Sequence, residues 1–138
     1  MAFPSTSATN PPVPVAYGFL LSFPIACFFL AMLTDIAYWQ TANLLWLHFS
    51  EWLLLAGLAF GFLAGILAVA RRLRGRIGPA WPTMAGYAIV FLLAVLNSFI
   101  HTADGWTAVV PYGLATSVAT VVLMAIVALF GRTGGLHA

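Results

Sequence analysis

The residues able to do chemistry are few in this chain, and several stand close together. The stretch LNSFIHTADGWTAVVP, Leu96 to Pro111, holds Asn97, Ser98, His101, Asp104 and Trp106. The whole sequence has only three acids and three histidines. Asp35, His48 and Glu51 complete the set that four-segment topology would bring to the same side, leaving His137 near the other terminus. Histidines on neighbouring helices at matched depth can ligate one haem iron, so His48 and His101 are the candidate pair for haem b. The same side chains, with Asp35, Glu51 and Asp104, have the donor types a divalent metal takes. Their spacing matches no compact metal motif. Ser98, His101 and Asp104 fall at i, i+3 and i+6 on one helix end, a poor arrangement for a nucleophile, base and orienting acid. No catalytic residue is assigned.

The elements that must position these residues are dictated by composition. The chain has 138 residues, of which 63% are hydrophobic and 6% charged, with a mean hydropathy of +1.04. A soluble domain carries about 25% charged residues, and one this short cannot bury so much apolar surface. The expectation is an all-α integral membrane protein, a four-transmembrane-helix antiparallel bundle. Four uncharged or nearly uncharged runs support it, at about 15–38, 43–70, 82–102 and 107–130. Each is long enough to cross a hydrocarbon core of about 30 Å, which takes roughly 20 helical residues. Helices are required because lipid offers backbone groups no partner. Residues 1–14 read as a disordered polar, proline-rich tail without the basic start of a signal peptide. The transmembrane domain then spans 15–131, and 132–138 form a short tail.

Arginine sets the expected orientation. The net charge of +2 arises without any lysine, and Arg71, Arg72, Arg74 and Arg76 cluster between the second and third runs. Positive loops stay in the cytoplasm, which places both termini there and makes this a multi-pass membrane protein. So short a cluster beside an apolar run is a topology signal and not a nucleic-acid surface. Trp39, Trp46 and Trp106 then mark the outer interface and Trp81 the inner one. Asp35, His48, Glu51, His101 and Asp104 collect as an outer polar cap.

Small residues four apart let helices approach closely in lipid. Gly57, Gly61 and Gly65 form such a ridge on helix two, Gly18, Ser22 and Ala26 on helix one, and Gly113 and Ser117 on helix four. On helix three Ala94, Asn97 and His101 share one stripe, expected to face protein because polar groups facing lipid are costly. His48 lies on the far side of helix two from its glycines. Pro24 should interrupt helix one, Pro111 falls in the first turn of helix four, and Cys27, alone, excludes an internal disulfide.

The segments FPIACFFLAMLTDIAYWQT, HFSEWLLLAGLAFGFLAG and LNSFIHTADGWTAVVPYGL together resemble the bacterial membrane family catalogued as domain of unknown function 2231. The run from His101 to Pro111 is the most specific part. The resemblance implies four spans in the inner membrane and no established reaction. It carries Asp35, Asn97, His101, Asp104 and Trp106 as family-like polar positions, but not His48, where the family usually has Asn. It also implies a setting beside quinoprotein sugar dehydrogenases and c-type cytochromes. The leading expectation is a non-catalytic anchor or accessory subunit with a membrane or periplasmic protein partner. A b-type haem or quinone-linked electron carrier is the alternative. A small transporter is a weaker one, since the midplane holds little besides Pro24 and Cys27.

Overall fold

The computed structural model describes residues 15–75, 79–102 and 109–134. Four helices run α1 Val15–Thr41, α2 Leu44–Leu73, α3 Trp81–Thr102 and α4 Leu114–Gly134, with a π-helical turn Val109–Gly113 leading into α4. Each is long and apolar enough to cross a membrane. The N-terminal tail, Arg76, the segment bearing Asp104 and Trp106, and the C-terminal residues with His137 lie outside the described residues.

The first hairpin turns in few residues. Ala42 takes a left-handed conformation, φ 50°, and its N–H reaches back to the carbonyl of Tyr38 at 2.8 Å. That closes α1 in the way glycine usually does. Asn43 then caps α2, its side chain accepting from the Leu45 N–H at 3.0 Å. At the other end α2 stops at Gly75, whose φ of +66° suits a residue without Cβ. Arg72 ties this end to the next helix: it donates to the Pro79 carbonyl at 2.7 Å, and its guanidinium lies 4.6 Å from the Trp81 ring centroid.

Packing is closest between α1 and α2, then between α3 and α4; α1 also meets α4, and α2 meets α3 less closely still. Glycines explain the two tight seams. A Cβ on Gly57 would come within 2.6 Å of Phe28 on α1, and one on Gly86 within 2.6 Å of Val127 on α4. Gly61 lies opposite Phe91 and Pro24 at looser distances, while Gly65 meets nothing. The core joins Phe28, Ala31, Leu54, Val90, Ala94, Met124 and Val127.

Helix one departs from the expected face. Gly18 and Ser22 are exposed, as is Ala26, and Ser22 merely bonds its own helix at Gly18 O. The buried face instead carries Pro24, Cys27, Phe28, Ala31 and Asp35. Turning a carboxyl toward lipid costs more than a small-residue seam returns, so Asp35 fixes the rotation of α1. The entry to α4 also differs. Val110 is extended, φ −120° and ψ 119°, as residues before proline prefer. Pro111 therefore sits in the π-helical turn, after a cis peptide bond, and regular α4 begins only at Leu114.

Candidate functional site

The polar side chains of three helices meet inside the bundle. Asp35 lies on α1, Asn97 and His101 on α3, and Ser117 on α4; none is more than 2% exposed. Asp35 was expected at the outer edge of helix one, but α1 continues six residues beyond it, which at 1.5 Å per residue sets it about 9 Å inside the helix end. It belongs to the interior, not to a cap.

Hydrogen bonds among these four residues form a closed circuit. Asn97 Nδ2 donates to Ser117 Oγ at 2.7 Å. Ser117 Oγ in turn donates to Asp35 Oδ2. Asp35 Oδ1 faces His101 Nε2 at 2.8 Å. His101 Nδ1 returns to the main-chain carbonyl of Asn97 at 2.9 Å. That carbonyl can only accept, so Nδ1 carries a hydrogen. Nε2 must then donate to a carboxylate as imidazolium, or accept from a neutral carboxyl. In both forms one proton lies between Asp35 and His101, and the pair as a whole carries no net charge.

Local packing holds the imidazole in place. A Cβ on Gly113 would lie 3.0 Å from His101 Cε1, so the ring rests against the backbone of the π-helical turn. Val109 closes the site, fully buried. Asn97 Oδ1 has no partner among the described residues. Beside the circuit, Thr34 and Ser50 exchange a hydrogen bond at 2.7 Å and pin α1 to α2.

Other expected site residues lie elsewhere. His48 is exposed and pairs within its own helix with half-buried Glu51 at 3.2 Å. It lies apart from buried His101, whose two ring nitrogens are both hydrogen-bonded within the bundle. Ser98 is half-buried and makes no bond to His101, and Asp104 lies outside the described residues. Among the described residues no group of three His, Cys, Asp or Glu side chains could hold a metal ion. Gly113 and Ser117, expected only as packing residues, both contribute to the polar site. Nothing in the sequence linked Ser117 to Asp35, which is 82 residues away. The arginines gather at the opposite end, Arg71 and Arg72 half-buried and Arg74 exposed.

Comparison with known families gives one match. A family model described as "Predicted membrane protein (DUF2231)" covers residues 18–136. The chain belongs to this family. Its four apolar helices and its family description agree that it is a membrane protein embedded in a lipid bilayer. No curated protein and no solved structure matches it.

Proposed function

We propose that this protein is a non-catalytic subunit of the bacterial inner membrane, anchoring or serving a periplasmic redox enzyme of the quinoprotein dehydrogenase type. The observation that supports a non-catalytic role is the closure of the Asp35–His101–Asn97–Ser117 circuit. Both oxygens of Asp35 and both ring nitrogens of His101 are bonded within the bundle, leaving neither side chain an open position for iron or substrate. In lipid, where apolar surface gives helices no reason to associate, such bonds act as fasteners. The periplasmic partner is supported by the setting that the family resemblance implies. With the Arg71–Arg76 loop in the cytoplasm, both termini would lie there and the polar circuit would face the periplasmic half of the bilayer.

Deleting the gene and assaying membranes for dye-linked quinoprotein dehydrogenase activity tests the reading. Activity should leave the membrane fraction and return with the wild-type chain. It should also return with Asp35→Asn, which can keep every bond of the circuit while removing the acid. Unchanged membrane activity on deletion would refute the partner. A Soret band with sharp reduced α and β bands in the purified protein would refute the cofactor-free role. Labelling of Gly75→Cys by an impermeant reagent in intact cells would overturn the orientation.

A further inference from the structure

The end of the bundle carrying the arginines is open where the other is closed. Between α2 and α3 lies a cleft of about 1360 Å³, floored by Pro24 and Phe28 of α1 and by Met124 of α4. Small residues, Gly65 and Ala68 on α2 and Ala88 on α3, leave room in it between larger apolar side chains such as Leu73 and Tyr87. A Cβ at Gly65 would meet no atom within 4 Å. The α2 wall runs from Gly61 to Leu73, about 18 Å at 1.5 Å per residue. One leaflet of a hydrocarbon core is about 15 Å deep, half of roughly 30 Å. The cleft is therefore as long as an acyl chain is deep.

Charge at the mouth specifies the rest of the occupant. Arg72 and Arg74 stand at the end of α2, immediately beyond the cleft, and Trp81 under Arg72 lines its rim. Arg72 spends one N–H on Pro79, and a guanidinium has five. The sequence holds no acid between Glu51 and Asp104, so no carboxylate neutralises this end. A neutral isoprenoid quinone would suit the cleft but not the charges.

We propose that the cleft binds one anionic phospholipid, with an acyl chain lying between α2 and α3 and the phosphate held at the mouth by Arg72 and Arg74. Guanidinium groups suit phosphate oxygens because their N–H donors match them in pairs, and basic sites between membrane helices are where anionic headgroups collect. The lipid completes the bundle on the side where the protein's own side chains leave it unfilled.

The test is native mass spectrometry of the intact chain in neutral detergent. The probes are phosphatidylglycerol, phosphatidylcholine with the same chains, and inorganic phosphate. One phosphatidylglycerol should survive per chain, and phosphatidylcholine should be held about thirtyfold less well, as expected for two cationic contacts of about 1 kcal/mol each. Arg74→Gln, at an exposed position, should shrink that preference without loss of folding. Gly65→Leu and Ala88→Leu fill the cleft from opposite walls, and each should abolish retention while leaving the melting temperature within a few degrees. Equal retention of the two lipids would overturn the proposal, as would phosphatidylglycerol persisting in a correctly folded cleft-filling variant. Displacement of the lipid by inorganic phosphate would mark a simple anion site, and a stoichiometric quinone in its place would also overturn it.

Discussion

The two ends of this bundle solve the same problem in opposite ways. At one, Asp35, Asn97, His101 and Ser117 close a circuit of hydrogen bonds with no more than 2% of any residue exposed. At the other, α2 and α3 part around an apolar cleft. Both ends are flanked by the same kinds of aliphatic side chain, so apolar content does not distinguish them. Lipid is as apolar as leucine, and helices in it are drawn together by close packing and polar contacts. Where three helices share a polar circuit they close. Between α2 and α3, where the Arg72–Pro79 bond ties only the helix ends and Gly61 meets Phe91 only loosely, lipid competes on nearly equal terms and a gap persists.

The largest effect should come from breaking the circuit at its centre. Asp35→Ala removes the acceptor of both Ser117 and His101 and should cost about 3 kcal/mol of bundle stability, read by reversible unfolding in mixed micelles. Asp35→Asn should stay within about 1 kcal/mol of wild type, because its amide can donate to His101 Nε2 and its oxygen can accept from Ser117. If the two variants fall equally, a charge and not the connectivity holds this end together. His101→Ala should cost about 2 kcal/mol, while His48→Ala, exposed and paired only within its helix, should change stability by less than about 0.5 kcal/mol. Similar losses for both histidines would show that the circuit is no stronger than a surface pair. Gly113→Ala pushes a methyl group against an imidazole fixed by bonds at both nitrogens, and should cost about 1 kcal/mol, visible as a lower melting temperature. Ser50→Ala, which loses the bond to Thr34 between α1 and α2, should cost about 0.6 kcal/mol, typical of a single interhelical bond in lipid. A loss as large as that of Asp35→Ala would mean that polar fastening extends evenly through the bundle, and the contrast between its ends would dissolve.

Much of this arrangement was legible in the sequence, and the exceptions are instructive. The four spans follow from apolar runs too long to be anything else. The inward stripe of Ala94, Asn97 and His101 follows from helical spacing and the cost of polar groups in lipid. Asp35 was misplaced because a charge near the end of an apolar run is expected at the membrane interface; nothing local reveals that α1 continues to Thr41. The same residue then overrode the small-residue ridge of Gly18 and Ser22, a competition visible only once Asp35 is known to be inside. Ser117 carried no signal of its own, since a serine spaced four from a glycine reads as packing. The cleft depends on how far α2 and α3 stand apart, and neither helix encodes that alone.

One feature of the circuit has a consequence in time. Asp35 lies on the first helix to be made, but His101 follows it by 66 residues and Ser117 by 82. At roughly 5–20 residues per second, the ribosome reaches Ser117 about 4–16 s after Asp35. Until His101 follows, after about 3–13 s at that rate, the first helix carries an acid with none of its final partners. Helix one thus enters the bilayer with an acid whose bonds wait for the third and last helices. The chain therefore cannot finish folding in the order in which it is made: its first span is secured by its last.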